Sequence, residues 1–100
     1  MTFFIAMNVC YILFSPKLNR FYIGATQEGI ELRLTKHNSQ FHGSNHFTAT
    51  TNDWEVFFTI ECVDYAQVMR IEKRIKNMKS STYIRNLKKY PEIVQKLLKE

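Results

Sequence analysis

Glycine occurs three times in this 100-residue chain, proline and cysteine twice each, and tryptophan once. So little glycine and proline excludes a collagen-like or linker-dominated chain. Two cysteines exclude a disulfide-rich scaffold. Cys10 and Cys62 lie far apart in apolar runs, outside any C-x-x-C pair, so neither a redox motif nor a typical zinc ribbon is present. Both read as buried free thiols, which suits a reducing cytoplasm. No apolar run is long enough to span a bilayer. The longest, Phe3 to Phe14, is broken by Asn8 and lacks a positive flank and a small-residue cleavage site. It reads as a strand, in a cytoplasmic chain with no membrane partner. Repeats and low-complexity tracts are absent too. The 45% hydrophobic content excludes disorder, and 100 residues fit one domain spanning 1–100, not a multidomain enzyme or a large dinucleotide-binding fold.

Acidic residues are the minority, 9 against 14 Lys plus Arg, for a net charge of +5. The excess is local. Residues 66–100 carry ten basic and three acidic side chains, a net of +7, while residues 1–65 carry a net of −2. A lopsided basic segment attracts polyanions such as nucleic acid, although a solvated helix face has the same composition.

Hydrophobic patterning predicts the element order β-β-α-β-α-α-α. Residues 7–14 are β-branched and aromatic and end at the turn signal Ser15-Pro16. Phe21 to Gly24 forms a short second strand, where Gly24 marks a bend or a close approach. A helix follows over 28–38, then a polar loop over 39–53, and a third strand from Trp54 to Cys62. Asp64 caps a helix over 65–79 with a stripe of Val68, Ile71, Ile75 and Met78. Further helices run from Ser80-Ser81 to about Lys89 and from Pro91 onward, the last carrying Val94, Leu97 and Leu98. The expected fold is α+β, a small three-stranded antiparallel sheet flanked by helices.

Polar groups interrupt the apolar faces of two helices. On the first, Ile30, Arg33, Leu34 and His37 share one face. A buried guanidinium is costly unless an anion meets it. On the second, Glu72 falls between Tyr65 and Val68 on the inward arc, close to Ile75, where a carboxylate must pair, bind a metal or be protonated. An internal Arg33–Glu72 ion pair accounts for both residues without any function. A cleft faced by Arg33, His37 and Glu72 accounts for them equally well. In it Arg33 holds a phosphate, and Glu72 is one of the one or two carboxylates that magnesium commonly takes. A rival site is the zinc-like spacing of His37, His42 and His46, with no cysteine pair beside it.

Four blocks resemble the GIY-YIG nuclease superfamily, in its small single-domain bacterial branch. They are Val9-Cys10-Tyr11, Tyr22-Ile23-Gly24, Arg33-Leu34-x-x-His37-Asn38 and Ala66-x₅-Glu72-x₂-Ile75-Lys76, and the likeness runs from about residue 8 to 88. The first triplet keeps only its tyrosine, Ala25-Thr26 stands where some members carry a lysine, and Asn77 and Asn86 are both candidates for a late asparagine near the metal. The resemblance implies a metal-dependent DNA endonuclease of repair, recombination or defence, using one divalent ion, Mg²⁺ or alternatively Mn²⁺. Tyr11 and Tyr22 would lie side by side, and one of them, helped by His37, would deprotonate or orient the attacking water. Arg33 would stabilise the charge growing on the phosphate, and Glu72 would hold the metal. Lys36, Lys73, Lys76 and Lys79 are the expected DNA contacts, with branched or single-stranded DNA as substrate and a targeting protein as a further partner. The alternative is a non-catalytic nucleic-acid-binding module on the same fold.

Overall fold

A computed structural model describes residues 8–39 and 51–100. Seven elements follow in the expected order: β1 (Asn8–Ser15), β2 (Arg20–Thr26), α1 (Ile30–Ser39), β3 (Glu55–Cys62), α2 (Tyr65–Met78), α3 (Ser81–Lys89) and α4 (Pro91–Lys99). The strands form one antiparallel sheet in the order β2-β1-β3. The fold is α+β, as the patterning predicts.

β1 is central and covered on both faces, which is why Val9 to Leu13 form an uninterrupted buried run without alternation. Pleating still divides them. Cys10 and Ile12 meet Ile60 and the stripe Val68, Ile71 and Ile75 of α2, with Ile84 and Leu87 of α3 and Leu97 of α4. Val9, Tyr11 and Leu13 face the other way, onto Trp54, Tyr22 and the α1 residues Ile30 and Leu34. The site is built on this second, thinner face.

Several boundaries shift for physical reasons. β2 runs past Gly24 to Thr26 because pairing with β1, from Ser15↔Arg20 to Val9↔Thr26, outweighs the weak strand propensity of glycine. α1 begins at Ile30, not at residue 28. Met78 is left 45% exposed at the helix end, outside the core stripe. Cys10 is buried and Cys62 only half-buried, so the expectation of two buried thiols holds for one; both are free. Burial, and then the negative charge of Glu72, push the Cys10 thiol up to about 12, so it is chemically quiet.

The expected cap is present: Asp64 accepts a hydrogen bond from Gln67 N at 2.8 Å. Gln67 then ties the entry of α2 to the end of α4. Its Oε1 accepts from Val63 N at 2.8 Å and its Nε2 donates to Leu98 O at 3.0 Å. Its two amide groups are thus satisfied at a buried position, as they must be.

A second polar tie closes the hairpin turn against the start of β3. The Asp53 carboxylate accepts from Ser15 Oγ and Thr51 Oγ1, both at 2.6 Å, and from Lys17 N at 2.9 Å. The Ser15 and Thr51 hydroxyls are the main cause that holds this carboxyl at about 2, below its ordinary 3.8. A lowered value stabilises the fold fully above about pH 4, and that contribution is lost as pH falls through about 2. The Asp53→Asn protein is therefore expected to be less stable than wild type above pH 4, with the gap closing toward pH 2. Urea midpoints across pH 2–6 check this; a gap independent of pH would contradict it.

Candidate active site

The site starts from a missing side chain. Tyr11 on β1 stands opposite Gly24 on β2. A Cβ at position 24 would lie 2.9 Å from Tyr11 Cε2 and closer still to Cζ and the hydroxyl. Gly24 has no positive φ, so it is required for space and not for backbone conformation. With that space open, the Tyr11 ring lies across β2 although it is 1% exposed.

A buried phenol needs a hydrogen-bond partner, and α1 provides one. The Tyr11 hydroxyl and His37 Nε2 are hydrogen bonded at 2.8 Å. Tyr22, two residues from Gly24 on the same face, completes an aromatic wall. Its ring centroid is 4.9 Å from that of His37, and 6.3 Å from those of both Tyr11 and Trp54. The two tyrosines are therefore diagonal neighbours across the hairpin, side by side as the family resemblance implies.

Helical spacing puts Arg33 one turn before His37 on the same face of α1. Its guanidinium stands beside the Tyr11 hydroxyl, and its Nε is buried with no hydrogen-bond partner among the described residues. Burial works against this cation, but Tyr11, Glu28 and Tyr22 outweigh it and raise its pKa further. Burial also raises the Tyr11 pKa, against the opposing pull of Arg33. Tyr11 is thus a neutral phenol at physiological pH, able to pass a proton but not to act as a standing phenolate.

Glu72 lies on α2, which packs against the other face of the sheet. Its side chain is 15% exposed, and its charge acts on both Cys10 and Tyr11, which face opposite ways from β1. Its one ion-pair partner among the described residues is Lys76, one turn on, at 3.5 Å. Arg33 and Glu72 form no ion pair, so the internal salt bridge that would have explained both residues structurally is not made.

The profile of the GIY-YIG catalytic domain matches residues 7–88. The chain belongs to the GIY-YIG family. No curated protein and no solved structure matches it. GIY-YIG proteins are nucleases, which act on DNA and generally depend on a divalent metal. The divergence of the first triplet is understandable in this fold. Val9 and Cys10 point into the two opposing cores, and of the three only Tyr11 places a polar group in the site.

The donor set suits a hard cation. Glu72 offers one largely shielded carboxylate held, among the described residues, only by a lysine, and magnesium characteristically combines one or two carboxylates with water and phosphate oxygens. No cluster of three or more His, Cys, Asp or Glu occurs among the described residues; His42 and His46 of the zinc-like spacing lie outside them. The expected DNA-contacting lysines separate. Lys36 is engaged by Glu28 at 3.1 Å, and Lys73 lines a groove with Arg70, Arg74, Asn77 and Glu100, about 100° around α2 from Glu72. Lys76 and Lys79 share the Glu72 face. No described helix is long and apolar enough to cross a membrane.

Two residues that sequence reasoning did not assign hold the site in place. Asn38 donates from Nδ2 to Trp54 O at 3.0 Å and accepts from Trp54 N at 2.8 Å. This double bond imitates a strand pair and fixes the end of α1, beside His37, to the approach of β3. The available signal was the adjacency of Asn38 to His37 in the third block.

If Gly24 exists to admit the Tyr11 ring, Gly24→Ala should destabilise the protein by about 1–3 kcal/mol. In a Tyr11→Ala background the same substitution should cost almost nothing. Thermal melts of the four proteins close this cycle. Equal costs in both backgrounds would show that Gly24 serves some other purpose.

Proposed function

We propose that this protein is a DNA endonuclease that hydrolyses a phosphodiester bond with one divalent cation held by Glu72, Mg²⁺ or Mn²⁺. The observation that carries the reading is the hydrogen-bonded Tyr11–His37 pair beside an arginine whose buried Nε has no partner among the described residues. A guanidinium kept charged under partial burial is suited to bidentate contact with a phosphate.

Water bound at the Tyr11 hydroxyl gives up a proton to the phenol oxygen while the phenol passes its own to His37 Nε2. The hydroxide attacks phosphorus in line with the bond to the leaving oxygen; that bond breaks, the leaving oxygen takes its proton from solvent water on the far side, and His37 returns its proton to solvent through Tyr11. Such a relay avoids the phenolate that burial disfavours. Tyr22 packs against the His37 ring and holds its orientation. Arg33 meets the charge that builds on the non-bridging oxygens. The cation, when bound, polarises a phosphate oxygen and eases departure of the leaving group. Branched or single-stranded DNA met in repair, recombination or defence is the substrate class, with a separate protein aiding selection of the site.

Cleavage of flapped, branched and single-stranded DNA in Mg²⁺ or Mn²⁺ tests the reading. Glu72→Ala should abolish cleavage. Arg33→Ala should lose about 10²–10³ in rate, and Tyr11→Phe about 10²–10⁴. All three should still bind DNA. Binding without cleavage by the wild type would leave a non-catalytic module, and wild-type rates in Glu72→Ala would end the nuclease reading.

A further inference from the structure

The α2 face that carries Glu72 continues beyond it. Lys76 and Lys79 lie within about 40° of Glu72 around the helix. Lys79 then meets Arg20, at the start of β2, across a groove of about 460 Å³ that Asn19, Phe21, Ser80 and Ile84 help to line. Both cations are exposed, and neither side chain has an ion pair or hydrogen bond among the described residues. No acid among the described residues lines this groove. The two other basic grooves of the helical face both contain Glu100, which already neutralises Arg74 at 3.3 Å.

The walls of the groove are also where the backbone is least relaxed. Among the described residues two non-glycines have a positive φ, Asn19 at 53° and Lys79 at 50°, and both line it. Asparagine tolerates the left-handed region, but the residue that suits the end of α2 is glycine. Stability alone does not select a lysine at position 79.

We propose that Arg20 and Lys79 form a second phosphate-binding subsite, which takes the backbone of the strand that Arg33 and Glu72 engage. This rests on the nuclease reading and narrows its substrate. Lys79, which caps α2, stands seven positions after Glu72, about 10 Å of axial rise. That is about three nucleotides along one strand of a duplex. The preferred DNA therefore continues as a stacked, duplex-like arm for at least three nucleotides on one side of the cut.

Fluorescence anisotropy in EDTA measures binding with no cleavage, using flapped duplexes whose arm on that side is lengthened from one to six nucleotides. At 0.1 M salt, Arg20→Gln and Lys79→Gly should each weaken binding roughly fivefold to tenfold and lower the slope of log affinity against log salt by about one. The gain in affinity on adding the third nucleotide should vanish in the double variant. Lys79→Gly should melt at or above the wild-type temperature, since glycine relieves the backbone, so its loss of binding cannot be unfolding. Lys73→Gln removes the same charge from the neighbouring groove and should change affinity less than twofold.

Equal losses in Lys73→Gln would reduce the effect to bulk charge and overturn the subsite, as would wild-type affinity in both groove variants. Failure of the nuclease reading looks different. Wild type would then bind through the groove yet leave DNA intact in Mg²⁺.

Discussion

One hydrogen bond organises this molecule: the bond between the buried hydroxyl of Tyr11 and His37 Nε2. A phenol at the centre of a three-stranded sheet cannot remain unsatisfied, and every strand neighbour but glycine would keep its ring from lying across β2. Gly24 gives the ring its path, α1 brings the imidazole to its end, and Asn38 fastens α1 to the approach of β3. Tyr22 and Trp54 fill the remaining wall. The thin face of the sheet is therefore not a weakly packed version of the thick one. It is a shell of aromatic rings around the Tyr11–His37 contact.

The electrostatics follow from what this shell leaves open. Arg33 and Glu72 carry opposite charges and approach Tyr11 from opposite sides of the sheet, yet they do not pair. Had they paired, the desolvation of both would have been met internally and the region between them closed. Instead, among the described residues, the guanidinium keeps a buried nitrogen with no partner, and the carboxylate is held only by the half-exposed Lys76, across 3.5 Å. Such a weak tether is easily exchanged. A phosphate and a hard cation are the two ligands whose charges complete this arrangement.

Much of the fold was legible in the sequence because it rests on period and punctuation. The stripe of α2, the cap at Asp64 and the proline opening α4 each act within a few residues. Local rules failed where pairing was decided at a distance. Gly24 suggested the end of a strand, but β1 carries β2 through to Thr26. The site was legible as polar residues on apolar faces, which set Arg33, His37 and Glu72 apart before any geometry was known. The split between those residues and their supports was not. Nothing in periodicity links Asn38 to Trp54, 16 residues away, because the bond depends on how α1 is laid against the sheet. Nor could sequence choose between an Arg33–Glu72 pair and an open cleft, since both satisfy the same burial pattern.

The distribution of charge gains meaning from the helix geometry. A net of +7 over residues 66–100 describes a basic segment, but α2 sorts its cations by direction. Arg70, Lys73 and Arg74 turn toward α4, where Glu100 offsets part of their charge. Lys76 turns with Glu72 and pairs with it, and beyond them Lys79 meets Arg20 at the edge of β2 across a groove that no acid among the described residues lines. Field lines from a row of cations with a low-dielectric wall behind it converge on the groove in front of them. A domain this small has little surface for recognising sequence, and a charged groove beside a phosphate site selects by another property. In the proposed reading it would sense how far, and in what geometry, the strand continues past the bond to be cut.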